Sequence, residues 1–166
     1  SETCRAIPRL GSGGSPLVAL NLTKNRSREY YVINAFVRSV KMKIFIASDI
    51  HGSEHYCKIM AEKYREESAD KLLLLGDLLY HGPRNDLPFG YNPKGVIAIL
   101  NSLKNEIICV RGNCDTEVDQ MVLDFPIMAE YAIIYDGNKT IYATHGHKFN
   151  PQNPPMLKSG DILLNG

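Results

Sequence analysis

The sequence predicts an α/β fold, and three observations carry that reading. Short, wholly apolar runs alternate with segments of helical period, as in parallel βαβ units whose strands are covered on both faces. The pattern then changes to two strand-like runs about Asp136-Gly137-Asn138, the mark of an antiparallel hairpin. Finally, each strand ends in a polar residue with a glycine close by, at the edge where open α/β sheets bind their ligands.

Residues 1–41 stand apart from the rest. They are rich in Gly, Ser, Asn and Arg and hold no sustained period, the composition of a disordered or non-native leader. Only Tyr30 to Val37 could make a strand or a helical turn. The chain does not begin with Met, and Met42 stands where a natural start would fall. The domain is therefore expected over residues 42–166, and its fold is expected to survive removal of residues 1–41.

Within that domain Ile44-Phe45-Ile46-Ala47 reads as a buried strand over 43–48. Ser53 can cap a helix over 53–68. Its apolar positions are Tyr56, Ile59, Met60 and Tyr64, and Glu62, Lys63, Arg65, Glu66 and Glu67 form its solvated face. Lys71 to Leu75 reads as a second strand. A loop punctuated by Gly82-Pro83, Pro88 and Gly90 follows, and Pro93 opens a helix reaching about Leu103. Ile107 to Val110 reads as the third strand. The hairpin occupies 129–144, and Asp161 to Leu164 begins a further strand.

Composition narrows the function. The chain has 166 residues, enough for one domain, with 44% hydrophobic and 22% charged residues. No apolar run approaches 18 residues, which excludes a membrane-spanning helix. The net charge of +1 hides an asymmetry: residues 1–41 carry +5 and residues 42–166 carry −4. An acidic domain gives no support to a nuclease acting on a polymer, so neither a nucleic acid nor a membrane is expected as partner. None of Cys4, Cys57, Cys109 and Cys114 forms a C-x-x-C pair. This excludes a zinc knuckle or thioredoxin-type motif and suggests reduced thiols in a cytoplasmic protein.

The residues at the strand ends are metal donors. Asp49 and His51 follow the first strand, Asp77 the second, Asn113 the third and His145 the hairpin. Carboxylate, imidazole and amide oxygen together suit Mn, Fe, Zn, Ni or Mg. A carboxylate such as Asp77 can bridge two cations about 3.5–4 Å apart, which activate a water and clamp a phosphoryl group. In the loop, Arg84 offers a fork for a phosphoryl oxygen, and Arg111 is expected to make a structural ion pair.

Asp49-x-His51, Gly76-Asp77, Gly112-Asn113-x-Asp115 and His145-Gly146-His147 resemble the signature of the calcineurin-like metallophosphoesterases. His81-Gly82-Pro83-Arg84-Asn85, Gly90-Tyr91-x-Pro93, Gly112-Asn113-Cys114-Asp115 with Glu117 to Met121, and Phe125-Pro126-Ile127 are similar to the YfcE-type bacterial phosphodiesterases of that family. The resemblance runs from Met42 to Gly166. It implies a β-sandwich flanked by helices in αββα layers, and hydrolysis of a phosphodiester, or of a phosphomonoester, by a hydroxide activated between two divalent ions. It implies manganese first among the metals, and a small phosphodiester substrate in a protein able to form homo-oligomers.

The resemblance also implies roles. Asp49 and His51 would hold the first metal, Asp77 would bridge, and Asn113 and His145 would hold the second, with His147 behind the ligands. Cys114 stands where many relatives carry a His that protonates the leaving group. A thiol serves that step poorly for an alkoxide and adequately for a phenolate-like group. The family continues with Gly-His-x-His, and Asp161 to Gly166 aligns with the strand leading into it. The expectation is a domain truncated before that motif, incomplete at its C-terminus and weak in metal binding and activity. The competing reading is a non-catalytic protein-binding scaffold on the same fold, as in the retromer subunit. Five donors of the right type favour the enzyme.

Overall fold

The computed structural model describes residues 19–24, 31–36, 42–137 and 139–166. The chain divides into two units, Ser1–Lys41 and Met42–Gly166. In the first, β1 (Ala19–Lys24) and β2 (Tyr31–Phe36) pair antiparallel, Ala19 opposite Phe36 and Lys24 opposite Tyr31. The remainder of residues 1–41, and with it most of the expected disordered leader, lies outside the described residues.

In the second unit, β3 (Ile44–Ala47), β4 (Lys71–Leu74) and β5 (Ile107–Cys109) form a parallel sheet in the order β3-β4-β5. Ile44 pairs with Lys71, and Leu72 with Ile107. The crossovers carry α1 (Glu54–Glu66) and α2 (Pro93–Ser102). Ser53 caps α1 by accepting from the Tyr56 amide at 3.2 Å, and Asn92 caps α2 one residue before Pro93. The second sheet holds β6 (Ala132–Asp136), β7 (Lys139–Ala143) and β8 (Ile162–Leu164). β6 and β7 form the expected hairpin, and β8 joins β7 in parallel.

Two apolar clusters hold these layers together. Leu73, Leu75, Val110 and Ala143 are buried between the sheets, with Ile44, Ile108, Ala132, Ile134 and Leu164 around them. On the other face of the first sheet, Leu72, Leu74 and Cys109 pack against Cys57, Ala61 and Tyr64 of α1 and Val96 and Leu100 of α2. Helices, sheet and sheet are thus stacked in the order the αββα architecture requires. On the outer face of the second sheet Ile133 and Tyr135 are exposed. Among the described residues no helix is long and apolar enough to cross a membrane.

The structure corrects three details. The buried face of α1 is Cys57, Ala61 and Tyr64, while Tyr56 and Ile59 are exposed. Small residues at i and i+4 let the helix lie close, and Tyr56 instead packs edge-on against His55. β3 lies at the sheet edge, so Ile46 is 45% exposed and only β4 is buried throughout beyond Lys71. The sequence reading also lacked α3 (Glu117–Gln120), which starts at a capping box between Thr116 and Asp119.

Two predictions follow from this packing. Leu100 is fully buried between α2 and the sheet, so Leu100→Ala should lower unfolding free energy by about 2–5 kcal/mol in chemical denaturation. Tyr64 is buried and donates to Glu106 Oε2 at 2.5 Å. Burial first, and then the Glu106 carboxylate, push its phenol up from 10 to about 12. A group raised in the folded state stabilises it fully below its unfolded pKa, so this contribution is lost as pH rises from 10 to about 12. Tyr64→Phe should flatten the stability curve across that window, and superimposable curves would count against the contact.

Candidate metal centre

The backbone ladder between β3 and β4 continues beyond the strands. Asp49 N donates to Gly76 O at 3.1 Å, His51 N to Asp77 O at 2.9 Å and Gly52 N to Leu78 O at 2.8 Å. This ladder holds three residues in the left-handed region: Asp49 at φ +58°, His51 at +48° and Asp77 at +57°. Such a conformation costs a non-glycine residue about 1–3 kcal/mol and persists only where its surroundings over-determine it. Strain therefore gathers on three candidate ligands.

The end of β5 arrives from the other side. A Cβ on Gly112 would overlap the Asp77 amide and carboxylate, and one on Gly76 would overlap the Gly112 backbone. Through this close crossing Cys114 N donates to Asp77 Oδ1 at 2.7 Å. Asp115, 1% exposed, accepts from Asp77 N at 2.8 Å, Leu78 N at 2.9 Å and Gly112 N at 2.7 Å. The sequence reading quoted Asp115 in a motif and gave it no role. Its signal, an acid two residues past Asn113, acquires meaning only once the ends of β4 and β5 meet. Arg111 makes no ion pair within 4 Å among the described residues; its Nε donates to Asp115 O at 3.3 Å.

The second sheet supplies His145. Its Nδ1 meets Leu75 O at 2.8 Å, and His51 Nδ1 meets Tyr80 O at 2.7 Å. Carbonyls accept only, so each Nδ1 carries a proton, and in the neutral tautomer the Nε2 lone pair turns toward Asp77. His51 Nε2 lies 3.2 Å from Asp49 Oδ1 and 3.6 Å from Asp77 Oδ2. His145 Nε2 lies 3.5 Å from Asp77 Oδ2 and 2.9 Å from Asn113 Oδ1.

In those tautomers the two Nε2 atoms face only acceptor oxygens, Asp49 Oδ1, Asp77 Oδ2 and Asn113 Oδ1. A cation reconciles such a set, so the residues fit divalent metal binding. Asp49, Asp77 and His145 form one group with ligand atoms within 4.8 Å of one another, and His51, Asp77 and Cys114 form another. Asp77 belongs to both.

Asp49, His51, Asp77, Asn113 and Cys114 line a cavity of about 190 Å³, roofed by the turn carrying Arg84. His145 sits behind Asp77, and His147 stands 5.5 Å from it, ring to ring. Burial, followed by the charge of Asp77, raises the Cys114 thiol to about 11, so it stays protonated at neutral pH. Burial and then His145 lower the pKa of His147.

A family model described as "Calcineurin-like phosphoesterase superfamily domain" matches residues 42–162. The chain is 46% identical over 125 residues to phosphodiesterase YfcE of Escherichia coli strain K12, covering 75% of this chain and 68% of that relative. The same figures hold for phosphodiesterase YfcE of E. coli O157:H7. The solved structure of Yfce, a phosphoesterase from E. coli, superposes with a TM-score of 0.71 at 47% identity, covering 72% of this chain and 66% of that one. The chain thus spans about two thirds of the length of the relatives it matches.

The crossing of β4 and β5 can be tested directly. In Gly112→Ala the new methyl group collides with Asp77, which should cost about 1–3 kcal/mol in chemical denaturation. It should also weaken divalent-ion binding measured by calorimetry. Unchanged stability and binding together would show that the two strand ends are not in contact.

Proposed function

The chain belongs to the calcineurin-like phosphoesterase superfamily, and on that premise we propose that its strand-end site hydrolyses small phosphodiesters with the help of two divalent ions. The observation that carries this reading is the position of Asp77, one buried carboxylate common to two groups of donors, Asp49 with His145 and His51 with Cys114; how the other ligands divide between the ions is taken from the family resemblance. In this reading Asp49 and His51 hold the first ion, Asn113 and His145 hold the second, and Asp77 joins them. When bound, the two ions supply the charge that acidifies a water and the Lewis acidity that polarises the phosphoryl oxygens.

The chain's own residues do the rest. Leu75 O and Tyr80 O lock the two imidazoles, so each ring presents Nε2 without a rotation to freeze out. Arg84, on the turn over the cavity, pairs with phosphoryl oxygens and orients the substrate. The Cys114 thiol lies on the cavity wall and, where it carries its proton, can pass it to a departing oxygen. A thiol is a poor acid for an alkoxide, yet its loss matters more there than for a phenolate, because an aryl group leaves with little need of a proton. Manganese is the first metal to try, and phosphomonoesters are the second substrate class. The proposal includes a cytoplasmic setting and an ability to form homo-oligomers; in the family the resemblance points to, a Gly-His-x-His continuation supplies two further histidines.

The assay is hydrolysis of bis(4-nitrophenyl) phosphate with Mn²⁺ by the chain carrying that continuation, before and after chelation. Activity should vanish on chelation and return with metal. Asp77→Asn should lower kcat by about a hundredfold or more, since it weakens both ion sites. Arg84→Ala should act on KM more than on kcat. Cys114→Ala should cost more on alkyl than on aryl diesters. Equal turnover with chelator present, or a fully active Asp77→Asn protein, would remove the two-ion reading.

A further inference from the structure

Asp115 has a place in the fold that packing does not account for. It is a carboxylate at 1% exposure whose side-chain oxygens meet no cationic side chain among the described residues, Arg111 donating instead to its backbone carbonyl at 3.3 Å. An unpaired buried charge of this kind is expensive and survives only where hydrogen bonds compensate it. Here the compensation comes from three backbone amides, Asp77 N, Leu78 N and Gly112 N, at 2.7–2.9 Å. Two of them are consecutive in the chain, in the turn where Gly76 and Asp77 are left-handed at φ +96° and +57°. Their N–H groups reach one carboxylate, so the turn cradles an anion. Asp115 fills the cradle with a charge from the same chain.

The contact is reciprocal. The backbone beside Asp115 returns a bond, Cys114 N to Asp77 Oδ1 at 2.7 Å. With Oδ1 engaged, Oδ2 is the Asp77 oxygen that lies 3.6 Å from His51 Nε2 and 3.5 Å from His145 Nε2. Without Asp115, three buried amides would be unpaired and the left-handed turn at Asp77 would lose its main support. The carboxylate orientation would then no longer be set from below. The fixed negative charge beneath Asp77 also favours positive charge above it.

We infer that Asp115 is a positioning residue, which locks the backbone of Asp77 and presents one oxygen of that carboxylate to the two ion sites. The inference rests on the reading of Asp77 as the shared ligand. It does not require Asp115 to touch metal or substrate.

Two measurements test it, neither of them turnover. In the unmodified protein, NMR couplings through the hydrogen bonds should link the amide nitrogens of Asp77, Leu78 and Gly112 to the Asp115 side-chain carboxyl carbon. Absence of all three couplings overturns the inference whether or not any variant folds. Second, Co²⁺ titration followed by its visible absorption should show affinity lowered about 10- to 100-fold in Asp115→Asn. That variant keeps the shape but replaces one acceptor and the charge with a donor. Leu100→Ala, a core truncation on α2 remote from the site, should lower thermal stability and leave Co²⁺ affinity unchanged. A folded Asp115→Asn protein with undiminished Co²⁺ affinity overturns the inference, as does an equal loss in Leu100→Ala. If the unmodified protein takes up no Co²⁺, the couplings alone decide whether Asp115 holds Asp77, while the two-ion reading stands or falls by the chelation assay.

Discussion

The ends of β4 and β5 approach so closely that neither Gly76 nor Gly112 has room for a Cβ. The rest of the site depends on that approach. It brings the Asp77 carboxylate under the Cys114 amide and the Asp115 carboxylate under the amides of residues 77 and 78. Two loops that meet in this way have little freedom left, and side chains mounted on them inherit the rigidity of the sheet. A site that must hold charged groups a few ångströms apart needs such a support, because its own electrostatics push the groups apart.

Three of the five proposed ligands adopt a backbone conformation that side chains disfavour. The cost is met by the ladder from Asp49 to Gly52 along Gly76 to Leu78, which continues sheet pairing past the end of regular strand geometry. Asp49 and His51 are two residues apart and would share a face in an extended chain too; the left-handed turns at both residues bring them into contact, with His51 Nε2 3.2 Å from Asp49 Oδ1. Local strain and ligand convergence are therefore the same feature described on two scales.

The two apolar clusters divide the work of supporting this arrangement. The one beneath the helices sets the leucines of the sheet and of α2 against the small and aromatic face of α1, and fixes both helices on the first sheet. The one between the sheets fixes the second sheet against the first, and only that contact brings His145 to Leu75 O. A ligand from the hairpin thus reaches a site built on parallel strands through inter-sheet packing. Nothing in the sequence near His145 ties it to Leu75, 70 residues earlier.

Local patterns determined a good deal by themselves. The apolar runs marked every strand of the second unit to within three residues, Ser53 and Pro93 marked the helix starts, and the strand ends placed Asp49, His51, Asp77, Asn113 and His145 near one another. These are near-neighbour effects, written into periodicity, capping and turn chemistry. Tertiary structure decided the remainder. Which face of α1 is buried depended on how close Cys57 and Ala61 allow that helix to come, which a count of apolar positions does not weigh. Ile46 is exposed because β3 lies at a sheet edge, and strand order is not a local property. Asp115 became legible only once amides from residues 77, 78 and 112 met around one carboxylate. A partner 37 residues away in the chain leaves no periodic trace, because long-range hydrogen bonding is set by how strands stack and not by the spacing of residues along them.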